Sequence, residues 1–223
     1  MSGPGPVFRA MLAKDLRREF RSREIFISGF LFSVILLTII YFSTTASGLN
    51  YTRFASGALW LCIVFSGTIG LNRIHYAEMA NGCYRALILY PVDGGWIYLA
   101  KVCANSMLLG AMTVLLVPLL AVFFGLDLGQ SVLPLVASLM LGVTAFTAVG
   151  TLVVAITANT RMREVLFPVV QLPLVVPVVI GGVNSTEMAL RAQEAGGWLS
   201  FLVALDVAFL SLGFLLYEFL LEE

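Results

Sequence analysis

Polar residues in this chain are confined to short islands between long apolar runs, and that spacing predicts the elements. The runs cover residues 25–45, 54–71, 97–124, 132–158, 165–183 and 198–219. About 20 apolar residues in a helix cross the hydrocarbon core of a bilayer, so each run predicts one membrane-spanning helix. The third run exceeds that length and predicts a helix that tilts or protrudes. Residues 7–24 repeat differently: Phe8, Leu12, Leu16 and Phe20 recur every four positions beside Met11, with Lys14, Arg17, Arg18 and Arg21 opposite. An apolar stripe backed by a basic face predicts an interfacial helix lying along the membrane surface. Asp15 and Glu19 fall near the stripe, and the competing reading is a solvated basic leader that only sets topology.

Residues 72–96 form the longest connection, too long for a structureless loop in a compact protein. The stretch 76–89 lacks proline and stops before Pro91, which predicts a short helix, and Gly94 and Gly95 supply the turn back into the third run. The opposite connections, 46–53 and 125–131, are short, while 184–197 has room for a short surface helix. The fifth run carries Pro168, Pro173 and Pro177. In water each interior proline costs a helix about 3 kcal/mol. Lipid offers the backbone no other partner, so the helix persists there with broken bonds. Pro173 and Pro177 lie one turn apart and free the carbonyls of Val169 and Pro173. Such a segment is a hinge or cavity wall on one reading and a static kink on the other.

Composition removes the soluble alternatives. Hydrophobic residues make up 60% and charged residues 12% of the 223, against roughly 45–50% and 25% in soluble domains. Charge sets the orientation. Arg9, Lys14, Arg17, Arg18, Arg21, Arg23, Arg73, Arg85, Lys101, Arg161 and Arg163 fall on one side, leaving Arg53 and Arg191 on the other. The side rich in Lys and Arg is cytoplasmic, so six spans put both termini in the cytoplasm. The first run is longer than the 7–15-residue core of a signal peptide and is expected to stay as a helix. A net charge of zero excludes a general field toward nucleic acid. The reading is therefore an all-α polytopic membrane protein, with residues 1–223 forming a single transmembrane domain.

Candidate chemistry is sparse. There is no GxxxxGK[ST] phosphate loop, and no HExxH, GxSxG or CxxCH. The chain is thus expected to bind no nucleotide by that route, to be no enzyme and to hold no cofactor or metal of its own. Cys62, Cys83 and Cys103 have no zinc spacing and read as packing residues. His75, the only histidine, reads as an interfacial hydrogen-bonding residue. Asp206 is the one carboxylate deep in a span, where insertion costs about 2.5–3.5 kcal/mol. It is either a pathway or coupling residue, or a protonated group bonded to a neighbouring Ser or Thr as helix glue. Ser138, Gly142, Ala145, Gly150 and Ala155 in the fourth run, with Ser66 and Gly70 in the second, predict close helix packing.

Residues 158–182 read ANTRMREVLFPVVQLPLVVPVVIGG, and this stretch resembles the fifth-helix region of the CcmB family. That family supplies the permease subunit of the bacterial haem-exporter, or cytochrome c maturation, ABC complex. Lys14, Asp15 and Arg18 resemble its amphipathic start, and GALWLCIVFSGTIGLNR over 57–73 resembles its second helix. Glu78, Gly82, Ala86, Leu87, Pro91, Ala100 and Lys101 match its cytoplasmic connection. The likeness covers nearly the whole chain, and its specificity lies in the order of individually weak motifs. Asn81, Gly82, Cys83, Tyr84 and Arg85 stand where family members often carry an acidic run.

The resemblance implies a six-helix subunit that pairs as a homodimer around a cytoplasmic ATPase subunit (CcmA-like), which binds the ATP. It also implies a haem-handling membrane protein (CcmC-like) and a small membrane subunit (CcmD-like) as partners, with haem as a possible substrate. The cytoplasmic connection 72–96 would be the coupling element, with Glu78, Gly82 and Arg85 meeting the ATPase. On the residues themselves, Pro173 and Pro177 read as the conformational element, and Gly142 and Gly150 as helix-packing positions of the fourth run. The alternative is a membrane scaffold that holds a haem-transfer complex without opening a path, motivated by the lack of a polar lining or haem-ligand pair in the spans. A third reading, an independent secondary carrier, rests on Asp206 alone.

Overall fold

The structure, a computed structural model, describes residues 4–22, 24–45, 51–80, 94–129, 132–157, 160 and 163–222. Those residues form seven helices: α1 Pro4–Ser22, α2 Glu24–Thr45, α3 Tyr51–Ala80, α4 Gly94–Phe124, α5 Val132–Thr157, α6 Arg163–Leu190 and α7 Gly196–Glu222. No strand occurs among them. Within α2 to α7, the segments Phe26–Thr44, Thr52–Arg73, Gly94–Phe124, Val132–Thr157, Val165–Leu190 and Gly196–Leu220 are long and apolar enough to cross a membrane. The six runs therefore become six helices, and the protein is all-α and polytopic.

Two ends differ from expectation. No separate helix starts at residue 76, because α3 runs on through Ala80; the rest of the 76–89 stretch lies outside the described residues. At 184–190 the expected surface helix is the continuation of α6. Its polar side chains support the helix by bonding backward, Asn184 Nδ2 donating to the Ile180 carbonyl at 2.7 Å and Ser185 Oγ to that of Gly182 at 3.1 Å. Both helices stop being apolar before they stop being helical.

α3 and α5 form the buried centre, and α2 and α7 the periphery. α5 packs on α6 and α7, while α3 packs on α2 and α6. Outward rows such as Ile27, Leu31, Ile35, Ile39 and Phe42 on α2 stay exposed, as do Val165, Val169, Leu172, Val176 and Ile180 on α6. Apolar faces of that extent suit acyl chains, not water. Each connection returns the chain, so one end of the bundle, here termed the connection end, gathers Ala80, Gly94 and the C-terminal turns of α7. At the opposite end α4 stops at Gly125, whose φ of +60° lets Leu126 N–H reach the Ala121 carbonyl at 3.0 Å. α6 stops the same way, with Gln193 N–H on the Met188 carbonyl at 2.9 Å, but the left-handed position there is Ala192.

α1 forms as its periodicity predicts. Met11 is buried, Phe8, Leu12 and Leu16 are half-buried, and Arg9, Lys14 and Arg17 are exposed. Asp15 sits at the edge of the apolar stripe and is paired with Lys14 at 3.0 Å. The stripe packs along α4, where Met11 joins a small core with Ile97, Tyr98, Ala148, Leu152 and Tyr217. A larger core around Trp60, Ile63, Leu116, Phe146 and Val178 fills the rest of the bundle.

Candidate functional site

At the connection end, the backbone of Glu78 lies in the last turn of α3, so the second span leads directly into the connection as one rod. The Glu78 side chain, Gly82 and Arg85 lie outside the described residues. The chain resumes at Gly94, already buried, as the first residue of α4.

Between α2, α3, α4 and α5 lies a small cleft of about 50 Å³, lined by Phe26, Ser66, Gly67, Asn105, Leu109 and Thr147 among others. Hydroxyls and amides around it are tied across helices. Ser33 and Ser66 share a 2.7 Å bond, and Ser66 Oγ also donates to the Gly29 carbonyl at 3.0 Å. Asn105 Nδ2 donates to Thr151 Oγ1 at 3.2 Å, and Ser106 and Thr147 share a 2.6 Å bond. Such bonds average about 0.6 kcal/mol between membrane helices. The cleft wall is mainly apolar, with Ser66, Asn105 and Thr147 its polar members, each bonded to a neighbouring helix. This polar set escapes sequence inspection because each helix contributes only one or two small polar residues.

α6 stays helical through all three prolines. Pro173 is exposed at the bundle surface and Pro177 half-buried, so the two do not share one environment. The inward face of α6 carries Phe167, Gln171, Val175 and Val178. Gln171 is the residue that sequence reading missed: it is 1% exposed, and neither amide atom has a hydrogen-bond partner among the described residues. A Cβ on Gly150 would press on Leu71 of α3 and come within 3.1 Å of Gln171 Nε2, so Gly150 leaves the room in which the amide sits. Leaving a buried amide unbonded costs about 1–3 kcal/mol. The signal was present, a lone amide in a 19-residue apolar run, but its setting depends on Gly150 and Leu71 of two other helices.

Asp206 lies on the buried stripe of α7 with Leu202, Gly213 and Tyr217. Its Oδ1 is buried and has no hydrogen-bond partner among the described residues. Gly142 faces a different group. The Trp60 ring of α3 fills the space where side chains on Gly142 of α5 and Gly182 of α6 would stand. The indole N–H donates to Thr186 Oγ1 at 3.0 Å.

Comparison with known proteins places this architecture. Residues 6–217 match the family described as CcmB protein. The chain is 32% identical to heme exporter protein B of Rhodobacter capsulatus over 186 residues, 83% of this chain and 84% of that protein. It is 28% identical to heme exporter protein B of Paracoccus denitrificans over 204 residues, covering 92% and 93%. The Escherichia coli K12 protein of the same name is 28% identical over 199 residues, covering 89% and 90%. Six membrane-crossing helices and these bacterial relatives make it a multi-pass inner-membrane protein. With the match extending from α1 to the last turns of α7, the chain belongs to the CcmB family.

Proposed function

We propose that this chain is the permease subunit of an ABC-type haem exporter serving c-type cytochrome assembly. The observation that carries the reading is the family match over 6–217 combined with six spans and no nucleotide-binding loop. Energy then has to come from a partner. In this reading the connection end faces the cytoplasm, as the excess of Lys and Arg there demands. A cytoplasmic ATPase subunit seats on the 72–96 connection through Glu78, Gly82 and Arg85. Closure of that subunit moves the bundle as a single transmembrane domain, with the proline-bearing α6 changing shape. The output is haem export or release of a haem-loaded chaperone, in a homodimeric assembly with a haem-handling membrane protein and a small membrane subunit.

The cleft between α2, α3, α4 and α5 favours a transporting role over a passive scaffold, because Ser66, Asn105 and Thr147 in its wall can exchange their interhelical hydrogen bonds. Asp206 alone gives thin support to an independent carrier, which ordinarily needs a relay of such groups. The test is purification of the tagged chain from gently solubilised membranes. An ATPase subunit is expected in stoichiometric amount, and recovery of the chain alone would defeat the proposal.

A further inference from the structure

The first residues of α4 are where the cytoplasmic connection re-enters the bundle, and they are packed in an unusual way. Gly94 and Gly95 are both buried. A Cβ on Gly94 would come within 2.7 Å of the Glu218 Cα, and one on Gly95 within 2.5 Å of the Phe214 ring. Trp96 then meets Phe214 edge-on, with centroids 6.2 Å apart. The start of α4 therefore rests on the backbone and rings of α7 with no flexible side chain between them. Close-packed surfaces of this kind transmit displacement, since there is no void to absorb it.

One turn further on stands Tyr98, fully buried. Its ring occupies the place of a side chain on Gly213 of α7 and lies 5.5 Å from the Tyr217 ring. Its hydroxyl donates to the Ala148 carbonyl of α5 at 3.0 Å and to the Phe209 carbonyl of α7 at 3.2 Å. One proton is thus shared between two helices. The buried stripe of α7 continues from Phe209 to Asp206 and Leu202, and Leu202 packs on Gly181 of α6, one turn beyond Pro177.

We infer that Tyr98, seated on Gly213, is a positioning residue that carries movement of the cytoplasmic connection into α5 and α7, and through α7 to the proline-bearing α6. This rests on the ATPase-driven permease reading. A route through packed side chains requires a direct measurement of coupling, and Tyr98→Phe provides it by removing both hydrogen bonds while keeping the ring. The intact complex is purified with its ATPase subunit, and three quantities are read: complex recovered, ATP hydrolysed per complex, and c-type cytochrome matured in cells per complex.

Tyr98→Phe is expected to leave recovery and hydrolysis within about twofold and to lower maturation per complex at least about fivefold, the lower end of site-to-site coupling. Trp60→Phe, which loosens the ring packed against Gly142 and Gly182 about three turns of α3 before the connection begins, is the control. It is expected to reduce recovery and leave maturation per complex unchanged. The inference is overturned if Tyr98→Phe lowers maturation only in proportion to complex recovered, or if Trp60→Phe moves the ratio equally. Gly213→Ala displaces the same ring from the α7 side, and should reproduce the loss in ratio for whatever complex is recovered; an unchanged ratio also overturns it. A wild-type complex that lacks an ATPase subunit defeats the permease proposal itself, before Tyr98 is examined.

Discussion

Trp60 and Tyr98 are both aromatic side chains pressed against glycine, and they sit toward opposite ends of the bundle. Trp60 is held between glycines of two helices, and its indole bonds a side chain, Thr186. It joins α3, α5 and α6 inside the larger core, away from the connection. Tyr98 faces one glycine and bonds only backbone carbonyls. It joins α4, α5 and α7 in the smaller core, which also anchors α1. The difference separates two jobs that close packing can do. A ring enclosed on both sides by glycine fixes a seam, whereas a ring that hangs on carbonyls beside the connection can pass a shift along.

The comparison breaks most visibly at Gly142. A Cβ there already overlaps the Trp60 ring, and overpacking costs about 1–3 kcal/mol even for one added methylene or so. Gly142→Leu should therefore abolish accumulation of folded protein, read by fluorescence-detected size exclusion; a monodisperse wild-type yield would show that the seam is soft. Gln171→Met is next. It replaces an unbonded buried amide with an apolar chain of similar length, and should raise thermal stability in detergent by about 1–3 kcal/mol. If the amide is needed when α6 rearranges, cytochrome maturation falls as stability rises. A fall in stability instead would mean that Gln171 holds the resting bundle together.

A smaller effect is expected at the opposite end. Ala192 holds φ 53°, a conformation that costs a non-glycine residue about 1–2 kcal/mol. Ala192→Gly should stabilise the end of α6 by roughly that amount, less the added chain entropy of glycine, near 0.5–1 kcal/mol. Maturation should stay unchanged, since Ala192 lies far from the Tyr98 cluster. A change in maturation without a change in melting would extend the moving region to this turn.

The six spans were legible because lipid forces every long apolar run into a helix. Helix ends were less so, for the apolar window closes at 71 and 183 while hydrogen bonding carries α3 to Ala80 and α6 to Leu190. Gly142 and Gly150 stood out as small residues, yet what faces them did not. Trp60 reaches Thr186 across 126 positions of sequence, and no local pattern announces that pairing. Gln171 was in plain view, but its isolation from any partner depends on Gly150 and Leu71 on other helices. The contacts expected of Gly82 and Arg85 lie outside the described residues and rest on the family likeness alone.

The central claim is that this chain works only when a partner hydrolyses ATP. The most direct measurement is c-type cytochrome formation in cells that hold the intact chain together with an ATPase subunit whose catalytic glutamate is replaced. Loss of mature cytochrome, with the complex still assembled, is the predicted result. Undiminished maturation would contradict the account and return the chain to the role of a scaffold.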